Sequence, residues 1–294
     1  MGSFKFKHLR FKSFKMNLLR FGPAGMPLAC KGKRLAEGIA YTAKQGLHAF
    51  EVEFVRGVRI RKEDAIEACR IAKEKDVLLS CHGPYWINCC SPVKAKQLVS
   101  IRNIVQTLRA AKELGAHIIV FHPGYYQKLS KQEAFNNTLI LLREVIKKMK
   151  QEKINIDLGL ETTGKASQFG SLEEVLLLCK KLKGKNVKPV IDFAHIHARN
   201  NGSIKTQEDY ARVIDAIKKE LGSAALLQLH CHFTEVEFNE KGERYHINIG
   251  AKNSPPFKPL AQLIAKHNYK FTIISESPLL EEDALKMQNM CKNL

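Results

Sequence analysis

The sequence predicts a (β/α)8 barrel (TIM barrel), an α/β fold with a metal site at the C-terminal face of its strands. Three observations predict it: eight short apolar or β-branched runs alternate with amphipathic segments, the chain has 294 residues, and a His or acid closes six consecutive runs. Eight β-then-α units favour parallel strands joined by right-handed crossovers, and eight strands close the sheet on itself. Such a barrel needs about 250 residues, which leaves 1–15 as a basic extension and 16–294 as one barrel domain. The rival is a doubly wound open sheet, but GPAGMP at 22–27 lacks the GxGxxG spacing expected after its first strand.

The expected strands are 16–21, 48–54, 77–82, 117–122, 155–161, 187–193, 224–232 and 270–276. Helices are expected between them. In Val93–Leu114 the apolar positions Leu98, Ile101, Val105, Leu108 and Ala111 recur near every 3.6 residues. Lys131–Met149 carries Phe135, Leu139, Leu142, Val145 and Ile146 on one face. Helix starts are signalled by Ser91-Pro92, Ser130, Thr206 and Ser171, the last with Glu174 at capping-box spacing.

Lys plus Arg total 48 against 29 Asp plus Glu, a formal net charge of +19 that favours polyanionic partners, nucleic acid first. No apolar run reaches the roughly 18–20 residues of a membrane span. The eight cysteines form no CxxC pair and several lie inside apolar runs, so a reducing, cytoplasmic setting is expected. The first fifteen residues alternate Phe with Lys and contain no acid. They read as an extension outside the fold, with a nucleic-acid arm or an organelle-targeting segment as alternatives.

The chemistry lies at the strand ends. His82, His122, Glu161, Asp192, His232 and Glu276 close the third to eighth runs, and His230 stands two residues before His232. In a barrel all of these ends converge on one mouth. His195, just past the sixth strand, and His246, in the loop after the seventh, reach the same mouth. Any one of these residues alone is an ordinary structural side chain; their conjunction carries the reading. The mixture of imidazole and carboxylate suits zinc, manganese or iron(II) better than calcium or magnesium. Nine candidate ligands exceed one tetrahedral ion, so two or three ions are expected. Glu161, midway round the set, is the candidate bridging carboxylate. His8, His48, His117, His197 and His267 fall off the pattern and read as ordinary histidines.

At these residues the sequence resembles the archaeal-type branch of the endonuclease IV family of apurinic/apyrimidinic endonucleases. The motifs are LRFGPAGMP (19–27), HGPYWIN (82–88), FHPG (121–124), GLETTGKASQFG (159–170), VIDFAH (190–195), LHCHFTE (229–235), GERYHINIG (242–250) and IISES (273–277). The resemblance implies a zinc-dependent DNA-repair enzyme that cuts 5′ to an abasic site in double-stranded DNA and leaves a 3′-hydroxyl. By that resemblance His82 and His122 hold one zinc and Glu161 bridges to a second. Asp192, Glu276 and His232 complete the second, with His230 the alternative to His232, and His195 with His246 hold a third. The sequence departs from the family at Arg244, where the bacterial-type motif carries an aspartate ligand; either Glu243 beside it is the substitute, or the third ion is weak, absent or completed by water. Arg20 stands at the family's first-strand histidine position. Tyr85 matches a family tyrosine that packs into the opened base stack, with simple loop packing as the alternative; Arg56 and Arg59, after the second strand, are candidate backbone or wedge contacts, with solvated loop arginines as the alternative. No membrane or obligate protein partner is implied, and a monomer is expected.

The same fold also suits sugar isomerases and epimerases, in which Glu161, Asp192, His232 and Glu276 would surround a single manganese. A catalytically silent nucleic-acid-binding barrel is the reading from a different class. The surplus histidines and the positive charge favour the nuclease over both.

Overall fold

The computed structural model describes residues 18–294. The N-terminal segment 1–15 and the first two residues of the expected first strand lie outside the described residues. Among the described residues, eight strands form one parallel sheet. They are β1 (Arg20–Pro23), β2 (Ala49–Glu53), β3 (Leu78–His82), β4 (Ile118–Phe121), β5 (Asp157–Glu161), β6 (Val187–Asp192), β7 (His230–Phe233) and β8 (Thr272–Ser275). From β2 to β8 each strand pairs with the next, and β1 pairs with β8. The remaining seam, between β1 and β2, is closed by His48 N–H donating to Phe21 O at 3.0 Å and Gly25 N–H donating to Glu51 O at 2.9 Å. The sheet is therefore a barrel, as the alternating pattern predicts.

The helices are α1 (Leu35–Lys44), α2 (Lys62–Lys75), α3 (Lys94–Leu114), α4 (Lys131–Gln151), α5 (Leu172–Lys181), α6 (Phe193–Arg199), α7 (Gln207–Leu221), α8 (Phe257–His267) and α9 (Leu280–Lys292). Ser130, Ser171 and Thr206 cap α4, α5 and α7, each accepting a hydrogen bond from the backbone N–H three residues on. Ser91 acts one step earlier, accepting from Val93 N–H at 3.2 Å before α3 begins. No helix among the described residues is long and apolar enough to cross a membrane.

Six expected strands match those observed to within two residues at either end, and two begin well beyond their expected starts. The first begins at Arg20 rather than at residue 16. The seventh is much shorter than 224–232: Ser223–Leu226 forms a 3-10 turn, and Gln228 adopts φ 61°. That left-handed residue breaks an extended run, so pairing starts only at His230.

Apolar residues between the sheet and the helices form two large clusters. Inside the barrel, Ile118, Val120 and Val190 form only a small apolar group. Much of the interior is polar instead, with Glu51, Ser80, His230 and His232 buried. Barrel interiors are normally packed with branched apolar side chains, so this polar column departs from the usual filling of the fold.

The β1–β2 seam depends on one glycine. A Cβ on Gly22 would lie 1.8 Å from Ala49 O, so the seam cannot close around any larger residue. Gly22→Ala should cost about 3 kcal/mol or more in urea unfolding. A variant as stable as the parent would show that the two strands are not held this close.

Candidate metal centre

The register of the barrel brings the strand-end side chains together. His82, Glu161 and Asp192 are the last residues of β3, β5 and β6, and His232 lies within β7. His122 and Glu276 follow β4 and β8 by one residue. Glu161, Asp192 and His232 are fully buried.

Glu161 is the middle of the arrangement. Its Oε2 lies 3.2 Å from both His82 Nε2 and His122 Nε2. Its Oε1 lies 3.2 Å from His232 Nδ1 and 3.3 Å from His195 Nδ1. The two oxygens of one carboxylate thus face two different sets of donors. His232 Nδ1 is also 3.1 Å from Glu276 Oε1.

Local structure aims Asp192 and His195. Asp192 caps α6, its Oδ1 accepting from His195 N–H at 2.7 Å, which leaves Oδ2 buried without a hydrogen bond. The short α6 turns His195 back over the mouth, where its Nδ1 meets Thr162 O at 2.8 Å. Thr162 also ties β5 to β6, accepting from Asp192 N–H at 2.9 Å.

The segment after β7, expected as a loop, is a hairpin of Glu235–Asn239 and Gly242–Ile247. Its pairing passes from Glu237 with Tyr245 to Phe238 with Glu243, so Arg244 is an extra, bulged residue. A bulge re-aims the side chains around it. Here Glu243, not residue 244, shares the mouth with His246. Glu243 Oε2 is 3.2 Å from His195 Nε2, and its Oε1 is 3.3 Å from His246 Nε2. Gly164 makes the room, because a Cβ there would lie 2.6 Å from Glu243 Oε2.

The donors fall into three groups around the mouth, the first two sharing Glu161: His82, His122 and Glu161; Glu161, Asp192, His232 and Glu276; and His195, Glu243 and His246. Within each, one ligand atom per residue lies within 4.8 Å of all the others. Zinc–nitrogen bonds of about 2.0 Å in a tetrahedron place ligand atoms about 3.3 Å apart, close to the separations here. The orphaned Asp192 Oδ2 and the mixed nitrogen and oxygen donors fit the same reading. The described residues therefore fit a cluster of divalent ions.

Burial penalises every charge here, and the acids and imidazoles offset it mutually. Burial alone would raise the Glu161 carboxyl, but His122 and His232 hold it well below the usual range. Burial opposes protonation of His82, yet Glu161 and Glu53 lift it to about 10. His246 is lifted against burial to about 9 by Glu243 and Glu276. Asp192 is pushed up to about 6, chiefly by burial, and half-buried Glu53 to about 8 for the same reason.

Not every expected residue joins this cluster. His230 lies a layer below, its Nε2 3.1 Å from Glu51 Oε2, and it groups with Glu51 and His232 rather than with Glu161. Tyr85 is 58% exposed, with its ring 5.9 Å from His82 and 6.5 Å from His122, so it stands over the mouth. Arg56 and Arg59 are exposed and, with Glu53, line a cleft of about 750 Å³. Arg20 is at the other pole, paired with Asp76 at 3.0 Å. Sequence reasoning missed Glu51 and Glu53. The signal was the alternation in AFEVE of β2, which turns both acids to one strand face.

Fold and site together describe a barrel whose mouth gathers a cluster of imidazoles and carboxylates. The chain belongs to the xylose isomerase-like TIM barrel family, whose profile matches residues 39–294. An uncharacterized protein of Methanocaldococcus jannaschii is 34% identical over 276 residues, 94% of this chain and 97% of that protein. A probable endonuclease 4 of Mycoplasma genitalium is 30% identical over 201 residues, 67% of this chain and 66% of that protein. Endonuclease IV from Thermus thermophilus superposes with a TM-score of 0.69 at 16% identity, covering 92% of this chain and 100% of that one. A D-tagatose 3-epimerase-like protein gives 0.67 at 19% identity, covering 88% and 94%. At these identities the structural likeness shows the fold alone, and that fold houses both nucleases and epimerases.

The ion pairs make the stability of metal-free protein depend on pH. An unfolded histidine titrates near 6.5, whereas His82 and His246 titrate at about 10 and 9. Their contribution is fully present below the unfolded value and is lost as pH rises through the folded ones. The Tm in chelator should therefore fall between about pH 7 and pH 9.5. A flat or rising Tm over that window would contradict the pairing.

Proposed function

We propose that this protein is a metal-dependent phosphodiester hydrolase of the endonuclease IV type, incising DNA 5′ to abasic sites and leaving a 3′-hydroxyl. The observation that carries the proposal is the divided Glu161 carboxylate, with Oε2 on His82 and His122 and Oε1 on His232. That division is the geometry of a bridge between two ions. In this reading His82, His122 and Glu161 hold the first ion. Glu161, Asp192, His232 and Glu276 hold the second, and His195, Glu243 and His246 the third. Zinc is the expected metal and manganese the alternative. When bound, such ions neutralise charge on a phosphoryl group in transfer and provide a nucleophile at neutral pH.

The protein's own residues do the rest. The buried Glu161 carboxylate faces donors from both halves of the site and so ties them together. Tyr85 stands beside His82 and His122, placed to pack into a base stack opened at the lesion. Arg56 and Arg59 flank the adjoining cleft and offer phosphate contacts, which position a duplex without reading its sequence. An abasic nucleotide has no base to unpair, so extruding it toward the mouth is cheap. The +19 charge supports a polyanionic substrate. Each chain carries its whole donor set, so we take the protein to act as a monomer, and its free cysteines fit a reducing, cytoplasmic setting.

An epimerase would use only Glu161, Asp192, His232 and Glu276, around one manganese. It has no use for the other five donors of the mouth, which is why the nuclease is preferred. The test is incision of a duplex with one synthetic abasic site, with and without chelator, alongside metal analysis. Two or three zinc ions per chain and chelator-sensitive incision are expected. One manganese and no incision would overturn the proposal in favour of the epimerase. Glu161→Gln should lower incision by more than about 100-fold, since losing a mere supporting partner of a ligand costs about 10–100-fold. Its duplex affinity should be largely retained. Near-normal turnover in that variant would remove the bridge.

A further inference from the structure

Beneath the mouth, the barrel interior holds a second buried layer that the proposed reaction does not use: Glu51, Ser80 and His230. Glu51 comes from β2 and the histidines from β7, strands that are not neighbours in the sheet. The carboxylate therefore reaches across the interior. Its backbone is fixed by the barrel seam, where its carbonyl accepts from Gly25 N–H. Its register partner on β3 is Ser80, whose Oγ donates to Glu51 Oε2 at 2.6 Å. His230 Nε2 lies 3.1 Å from the same oxygen. Glu51 Oε1 lies 2.9 Å from His232 Nε2, off the line of a hydrogen bond, and both atoms are buried with no hydrogen-bond partner elsewhere.

His232 differs from three other histidines of the mouth. His82, His195 and His246 each turn Nδ1 to a backbone carbonyl, of Gly83, Thr162 and Glu276 respectively. Each turns Nε2 to a carboxylate of the mouth. His232 is reversed. Its Nδ1 faces Glu161 and Glu276, and its Nε2 points down the barrel to a carboxylate. A neutral imidazole carries one proton, and a nitrogen that binds a cation cannot carry it. The proton of His232 must then sit on Nε2, deep in the barrel, where Glu51 is the acceptor at hand.

We infer that Glu51 is the positioning residue that selects the Nε2-protonated tautomer of His232 and fixes its ring with the bare Nδ1 toward the second ion. The inference rests on the proposed metal cluster and adds a residue to it. Ser80 and His230 hold the Glu51 carboxylate in place by donating to its other oxygen. The lower layer is a hydrogen-bonded support, although Glu51, His230 and His232 also have the spacing of an ion site of their own.

The test loads the full-length protein with zinc and measures stoichiometry and affinity by competition with a chromophoric chelator. It also reads histidine tautomers by nitrogen-15 NMR. Wild type should bind at least two ions, with His232 bearing its proton on Nε2. Wild type binding fewer than two ions would defeat the metal-cluster reading itself. Glu51→Gln should weaken one ion by about 10–100-fold and leave another at wild-type affinity. Equal affinities for every ion in Glu51→Gln and wild type would overturn the inference. His230→Gln should keep the full stoichiometry. Loss of one whole equivalent in both variants would overturn it too, by making the lower layer an ion site. Should Glu51→Gln fail to fold, the wild-type spectrum still decides: a His232 bound through Nε2 ends the inference.

Discussion

Burying many ionisable side chains in one barrel mouth is tolerable only if acids and imidazoles face each other at hydrogen-bond distance, because an unpaired buried charge costs several kcal/mol. Glu161 meets that constraint most fully. It is buried, and four imidazole nitrogens lie within 3.3 Å of its two oxygens. Without those imidazoles its carboxyl would be driven up by burial; with them it stays ionised. The rest of the mouth is arranged to keep that compensation in place.

The supports are local and identifiable. Asp192 caps α6 with one oxygen and turns the other, without a hydrogen bond and 3.4 Å from His195 Nδ1, to the cluster, so a single side chain both starts the helix and faces the cluster. Thr162 joins the ends of β5 and β6 and holds the His195 ring. On the far side, Glu235 anchors the loop beyond the hairpin by accepting from the N–H groups of Gly250, Lys252 and Asn253 at 2.6–2.8 Å. That loop follows the strand carrying Glu243 and His246, so the hairpin is tied at its base. The polar interior continues this logic downward, where Glu51 stands behind His232.

Much of the site was legible in the sequence because barrel topology converts strand ends into neighbours. His82, His122, Glu161, Asp192, His232 and Glu276 are far apart in the chain, yet counting strands was enough to bring them together. Three features were not legible. Glu243 was named as a substitute for position 244, but the bulge that aims it was not foreseeable, since a one-residue insertion in a ladder leaves no mark in hydrophobic alternation. Glu51 and Glu53 sit in a run that reads as an ordinary strand, and their inward face follows only once the barrel closes. The left-handed Gln228 cut the seventh strand short, although the apolar run around it continues. At the bulge and at Gln228 a backbone detail overrode the residue pattern.

The central claim is that Glu161 lies between two ions. Anomalous X-ray diffraction from zinc-loaded crystals tests it without reference to substrate or activity. The account predicts zinc peaks on both sides of the Glu161 carboxylate, about 3.5–4 Å apart. A single peak among Glu161, Asp192, His232 and Glu276, with none beside His82 and His122, would contradict it.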